Sequence, residues 1–333
     1  MVKAFVFGKF LPFHKGHEAM IHFAKAKCDL LTVLVCASDR ETIPAVTRKK
    51  WIENTFSGYR NVAVISFNYS ESQLPNTSDS SLEVSKIWAE KFREFFPDYD
   101  LVFTSEEYGN YVASFMGIKH IAFDIPKKLF PVSSTAVRNN LFANWKFLPD
   151  SVKPHFAIKV VILGTESTGK SSLTEKLVRH YSCSGVAEAG RDLIADSNSF
   201  QFEDLHLVAK EHANRINHAV CGHHPLIIID TDIHITMSYA QFIFGRELDT
   251  DEWIYNSNRA ELYLYLKNDV AYIDDGTRLN EAERNLLDLS HRNVLRNHRI
   301  GFTEISGSWE MRLKQAVEEI DRILEIESGR NPE

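Results

Sequence analysis

Residues 164–171 read Gly164-Thr165-Glu166-Ser167-Thr168-Gly169-Lys170-Ser171, a match to G-x-x-x-x-G-K-S/T, directly after a β-branched run at 159–163 and before a helical stretch near Ser172. Strand, glycine-bearing loop and helix in that order predict an α/β fold whose ligand sits beyond the carboxyl end of a strand. The glycines let the backbone wrap around phosphate, successive N–H groups and the helix N-terminus favour negative charge, and Lys170 reaches the β- and γ-phosphates. Gly164, Thr165, Glu166, Ser167, Thr168, Gly169 and Ser171 are therefore expected to bind ATP, with Ser171 on Mg²⁺. A second apolar run at 226–229 leads into Asp230-Thr231-Asp232, the layout of an acidic strand end that holds the metal beside such a loop. Either Asp suits that role, and Asp is equally a favoured N-cap for the helix expected near His234. Asp274-Asp275-Gly276-Thr277-Arg278 reads as a lid whose Arg278 meets the transferring phosphate, or as a solvated loop.

The same alternation runs through the rest of the chain. Strand-length runs at 3–7, 31–36, 62–67, 101–104 and 120–123 form one series, and runs at 159–163, 226–229, 262–266 and 302–305 form another, most of them separated by helical spacing. Pro149, Asp150, Ser151 and Pro154 interrupt regular structure between them, so two doubly wound parallel-sheet α/β domains are predicted, over 1–150 and 151–330. Over 81–96, Val84, Ile87, Trp88, Lys91, Phe92 and Phe95 recur at helical intervals, and near the end Leu313, Val317, Ile320 and Leu324 form an apolar stripe. With 333 residues and 44% hydrophobic content there is material for two buried cores.

A net charge of -7 argues against a protein that coats nucleic acid. Four cysteines, Cys28, Cys36, Cys183 and Cys221, lack C-x-x-C spacing and read as reduced thiols, and no apolar run has the length of a membrane span. A globular chain in the cytoplasm, without membrane insertion, is the expectation; oligomeric state is not fixed, and a homo-oligomer stays open.

In the first half, Gly8-Lys9-Phe10-Leu11-Pro12-Phe13-His14-Lys15-Gly16-His17 follows the first strand and enters a helix. As a zinc site the His pair lacks partnering cysteines or an acidic ligand. Gly8 and Gly16 instead permit close approach to phosphate, and two imidazoles at a helix start can donate to it. At the far end of this half, Val132-Ser133-Ser134-Thr135-Ala136-Val137-Arg138 places hydroxyls at a helix start and a guanidinium one turn in. Such a pair of helix starts suits ATP bent for attack at its α-phosphate, and equally an ordinary cap.

G-K-F-x-P-x-H-x-G-H together with S-S-T-x-V-R resembles the nucleotidyltransferases that adenylylate nicotinamide mononucleotide (NMN). With Trp145-Lys146-Phe147-Leu148-Pro149, the loop at 164–171, Gly190-Arg191-Asp192, Asp230-Thr231-Asp232 and 274–278, the chain resembles the bifunctional NadR family over nearly its whole length. That resemblance implies a Rossmann-like nucleotidyltransferase followed by a P-loop kinase, which phosphorylates nicotinamide riboside and then transfers AMP to NMN to give NAD, using Mg²⁺ with ATP. It implies catalytic roles for His14, His17, Arg138, Lys170 and Asp232. Gly8, Lys9, Phe10, Gly16, Ser134 and Thr135 would hold the first ATP, and Arg48 and Trp51 the mononucleotide, although Trp51 reads equally as core. Glu188, Arg191 and Asp230 would meet the riboside, with Ser171 and Asp230 on metal. Two departures stand out. The first strand starts at Val2, so no helix-turn-helix precedes it and no DNA partner is expected; and Ala187 and Ala189 flank Glu188 where the family has aromatic residues, unless Trp253 or Tyr255 supplies the ring. A fused phosphopantetheine adenylyltransferase and dephospho-coenzyme A kinase, or a nucleotide sensor without turnover, are the alternatives.

Overall fold

The computed structural model describes residues 1–76, 81–194, 200–269 and 281–329. Two compact units, Met1–Lys153 and Pro154–Gly329, divide the chain. Each is built on five strands, all parallel, with helices between them.

The first unit contains β1 (Lys3–Gly8), β2 (Leu30–Ser38), β3 (Val62–Tyr69), β4 (Leu101–Thr104) and β5 (Lys119–Ala122), in the order β3-β2-β1-β4-β5. β2 reads Leu-Leu-Thr-Val-Leu-Val-Cys-Ala-Ser and is buried from Leu31 to its end, as a strand covered on both faces must be. β3, at the edge, is only patchily buried. The helix Leu82–Phe95 starts where Ser81 caps it, its side chain accepting from the Val84 amide at 3.0 Å. Its buried face carries Trp88 and Phe92, which meet Phe5, Phe7 and Phe96 of the core. Phe5 and Phe96 stack at 4.3 Å. Ile87, expected on this inner stripe, is 41% exposed instead. The helix turns Trp88 and Ala89 inward, and the indole N–H finds the Pro75 carbonyl at 2.8 Å.

The second unit contains β6 (Ile158–Leu163), β7 (Ser184–Val186), β8 (Leu226–Asp230), β9 (Leu262–Leu266) and β10 (Thr303–Ile305), in the order β10-β9-β6-β8-β7. β7 is the strand that periodicity misses: three residues at the edge, centred on Gly185, where a Cβ would stand 2.8 Å from Val178 of the neighbouring helix Lys170–Tyr181. β9 matches its expected range, and the remaining strands differ from theirs by a residue or two at their ends. In both sheets the chain leaves the first strand at the centre of the order and returns on its other side, so each crevice opens beyond the carboxyl end of a central strand, β1 in one and β6 in the other.

In the last helix, Trp309–Gly329, the deepest line is Arg312, Ala316 and Ile320. Leu313 and Val317 of the expected stripe are half-buried beside it. Among the described residues no helix is long and apolar enough to cross a membrane, and the four cysteines are free thiols.

Candidate active sites

In the first unit β1 delivers Gly8 to the sheet edge, and the chain then loops back to begin the helix Lys15–Lys25 at His14. The second helix start, Ser134–Asn139, is capped by Ser133, whose side chain accepts from Ala136 at 3.1 Å. Direct bonds hold the two starts together: Ser134 Oγ donates to the Pro12 carbonyl at 3.0 Å and Arg138 to the Leu11 carbonyl at 2.6 Å. Residues more than a hundred positions apart thus share one cavity of about 970 Å³, lined by Gly8, Lys9, Phe10, His14, Gly16, His17, Ser134, Thr135 and Arg138.

The His14 and His17 rings stack with centroids 3.6 Å apart. The His14 backbone N–H donates to His17 Nδ1 at 3.3 Å, so that nitrogen is an acceptor and the ring's proton sits on Nε2. Burial first, then His14 and Lys127, hold the His17 pKa well below its usual 6.5. For His14, burial and then Lys127 lower it to about 3. An unfolded histidine takes up its proton near pH 6.5 and folded His14 does not, so its contribution to stability is complete above that pH and is lost progressively as pH falls towards 3. At pH 5, His14 should cost the fold about 2 kcal/mol relative to pH 7. Denaturant unfolding at the two pH values checks this, with His14→Gln expected to show the smaller drop.

Sequence reasoning passed over Glu41. Its buried carboxylate pairs with Lys9 at 3.1 Å and with Arg48 at 2.7 Å, and accepts from the Ser38 amide at 3.2 Å. It therefore sets the position of two expected ligand-binding cations; a lone acid just after a strand carries no pattern that would single it out. Arg48 also donates to the Lys9 carbonyl at 2.9 Å and is fully buried, while Trp51 is 5% exposed. Neither lines the cavity, whereas Lys127 and Arg40, which drew no notice in the sequence, do.

In the second unit β6 and β8 are neighbours, and Ile162 is the register partner of Asp230. That pairing sets the acidic strand end beside the loop that starts two residues later. Gly164 has φ +140 and approaches the Leu266 carbonyl so closely that a Cβ would lie 2.8 Å from it. Lys170 opens the helix Lys170–Tyr181, is buried, and donates to the Thr165 carbonyl at 3.0 Å. Thr168 Oγ1 donates to the same carbonyl at 2.7 Å, and Glu166 accepts from Tyr239 at 2.9 Å. Ser171 Oγ donates to Asp230 Oδ2, while the buried Asp230 Oδ1 has no partner among the described residues. Burial raises the Asp230 pKa, and Lys170 and Ser171 pull it back down. A hydroxyl, an orphaned carboxylate oxygen and a loop that presents phosphate are the donor set Mg²⁺ takes, so these residues fit that ion.

Gly169 has φ +86, and a Cβ there would stand 2.2 Å from the Trp309 ring. Gly169→Ala is accordingly expected to lower the stability of this unit by about 1–3 kcal/mol and to weaken nucleotide binding. Thermal unfolding and an ATP titration measure both, and Trp309→Ala in the same chain should return part of the loss.

Asp232, expected as a catalytic carboxylate, is fully buried with both of its oxygens engaged. Oδ1 accepts from the His234 and Ile235 amides at the start of the helix Ile233–Phe244, and Oδ2 meets His234 Nδ1 at 2.5 Å. Asp230 thus faces Ser171, and Asp232 caps the helix Ile233–Phe244. Glu188, two residues beyond β7, is the accessible acid and pairs with Arg191 at 3.2 Å. Ala189 is buried and Ala187 exposed; Trp253 is 39% exposed with its indole N–H on Asp251, and Tyr255 packs edge-on to His234 at 5.5 Å. Arg278, with 274–277, lies outside the described residues. His291, unnoticed in the sequence, is fully buried, bonds Ser238 at 2.8 Å, and has its pKa lowered to about 3 by burial and by the Lys170 charge.

Two families match the chain, one over each unit: the citrate lyase ligase C-terminal domain over residues 4–76 and the AAA domain over 159–312. The trifunctional NAD biosynthesis/regulator protein NadR of Escherichia coli (strain K12) is 29% identical over 298 residues, covering 82% of this chain and 70% of that protein. Its counterpart from Salmonella typhimurium (strain LT2) is 26% identical over 345 residues, covering 96% of this chain and 82% of that protein. Crystal structures of NadR in complex with NAD and AMP-PNP, and in complex with NR, share the fold at TM-score 0.67 with 18% and 19% identity, over 96% of this chain and 95% of theirs.

Proposed function

From the homology of this chain to the NadR proteins, we propose a bifunctional NAD-synthesis enzyme, a nicotinamide riboside kinase in Pro154–Gly329 feeding an NMN adenylyltransferase in Met1–Lys153. The observation that carries the reading is a separate anion cradle at the carboxyl edge of each sheet, each assembled from its own unit's residues.

In the kinase unit ATP lies along Gly164–Ser171 with Lys170 on its outer phosphates. Ser171 and Asp230 would hold Mg²⁺, which would supply charge neutralisation on the transferring phosphoryl group. The riboside's 5′-hydroxyl attacks the γ-phosphorus, its proton passes to Glu188, and the bond to ADP breaks. Glu188 takes this role because Asp232 is fully engaged. Arg191, paired with Glu188, orients it. In the other unit an oxygen of the NMN phosphate attacks the α-phosphorus of ATP and pyrophosphate leaves. His14, His17, Ser134, Thr135, Lys9 and Arg138 position the triphosphate and stabilise its developing charge, with no covalent enzyme intermediate. Arg48 acts from behind this site, holding the Lys9 carbonyl and Glu41, and Trp51 packs as core rather than meeting NMN. The ligands are thus ATP, NMN, nicotinamide riboside and NAD.

Incubation of the protein with nicotinamide riboside and Mg-ATP, followed by product analysis, tests the reading. NMN should form first and NAD after it. Adenylyl transfer to phosphopantetheine but not to NMN would overturn it, and ATP binding with no product would favour a sensor.

A further inference from the structure

The turn between the two aspartates is built on a residue type that resists it. Thr231 has φ +69, the left-handed region, which a β-branched side chain disfavours. Its amide donates to the Ile162 carbonyl at 3.0 Å, and its own carbonyl meets Nε2 of His212 at 3.2 Å. His212 comes from the helix Phe202–Val220 and is 3% exposed. A carbonyl cannot donate, so the Nε2 of His212 carries the proton and its Nδ1 is a bare acceptor with no partner among the described residues.

Left-handed backbone at Thr231 is what separates its neighbours. Asp230 ends β8 pointing at Ser171, and Asp232 turns away to cap the next helix. Relaxation of Thr231 to an extended conformation would continue the strand and rotate the peptide that follows Asp230, withdrawing its carboxylate from Ser171. Strain of this kind persists only where surrounding groups over-determine it, and the two bonds to the Thr231 peptide groups are those constraints.

We propose that His212 is a positioning residue of the phosphoryl-transfer site, its Nε2–H clamping the Thr231 carbonyl so that Asp230 stays aimed at Ser171. The proposal deepens the kinase reading given above and rests on it.

The test uses the full chain in four forms: wild type, His212→Phe, His212→Gln and His212→Phe with Thr231→Gly. Phenylalanine keeps the ring and removes the donor, glutamine returns an N–H at similar reach, and glycine adopts a positive φ without needing the clamp. His212→Phe is expected to lower riboside-kinase kcat about 30-fold, the effect of releasing strain of this class. The Mg²⁺ concentration for half-maximal rate should rise with it, while the KM for the riboside holds. His212→Gln, and Thr231→Gly placed on His212→Phe, should each restore most of the rate. Wild-type kcat and Mg²⁺ dependence in His212→Phe would overturn the proposal, as would a loss that neither change relieves. Circular dichroism and the thermal unfolding of Pro154–Gly329 in the same samples report that the unit carrying His212 has folded. If His212→Phe does not fold, ¹⁵N spectra of histidine-labelled wild-type protein decide: a neutral Nε2–H ring for His212 is expected, and an Nδ1–H or doubly protonated ring refutes the clamp. That spectrum needs no turnover, so a wild-type protein without riboside phosphorylation would sink the kinase reading and leave the clamp to be judged on its own signal.

Discussion

Lys170→Ala is expected to remove riboside phosphorylation, by about a thousand-fold or more, and to leave adenylyl transfer within about two-fold of wild type. The ammonium is buried at the head of its helix and held 3.0 Å from the Thr165 carbonyl, inside the loop where the outer phosphates lie. No other lysine lies among the eight loop residues to replace it. Lys170→Arg should not rescue, because a planar guanidinium cannot stand in for the compact ammonium that donates to the Thr165 carbonyl. Paired assays with riboside and with NMN on one preparation measure this. Loss of both activities in a folded Lys170→Ala chain would contradict two independent sites.

His17→Ala produces the mirror result. AMP transfer should fall by about a hundred- to a thousand-fold, the usual consequence of removing one aligned donor from developing charge, while the kinase rate holds. Because His17 Nδ1 accepts from the His14 amide, only its Nε2–H is available to phosphate, and His17→Gln should retain more activity than His17→Ala. The depressed pKa adds a second signature. Burial keeps the ring neutral from pH 6 to pH 8, so the adenylyl-transfer rate should show no histidine titration across that span. A kinetic pKa near 6.5 that vanishes in His17→Ala would contradict the neutral-donor role.

The parts of this fold that periodicity and motif chemistry reach are those written in short contiguous stretches. The runs at 101–104 and 262–266 coincide with β4 and β9 because each is an unbroken apolar segment between turns. The loop at 164–171 was legible because glycines, lysine and serine sit at spacings that only a phosphate cradle explains. β7 was not, since Ser184-Gly185-Val186 carries no apolar run and exists by pairing with β8. Asp230 and Asp232 looked interchangeable because nothing in D-T-D announces a left-handed threonine between them; His212, nineteen residues upstream, supplies the bond that meets it. Glu41 escaped for a related reason. Its importance lies in which cations it meets after folding, and no local pattern encodes that.

Arg312 is fully buried in the last helix, where its guanidinium donates to the carbonyls of Thr168, Gly307 and Lys267 and pairs with Asp269. The bond to Thr168 joins residues 144 positions apart. A ribosome adding about 5–20 residues each second reaches Arg312 roughly 7 to 30 s after Thr168, and in that interval the nascent phosphate loop lacks this anchor. The first sheet has all five of its strands before then, so during synthesis the half that finishes NAD matures well ahead of the half that supplies its substrate.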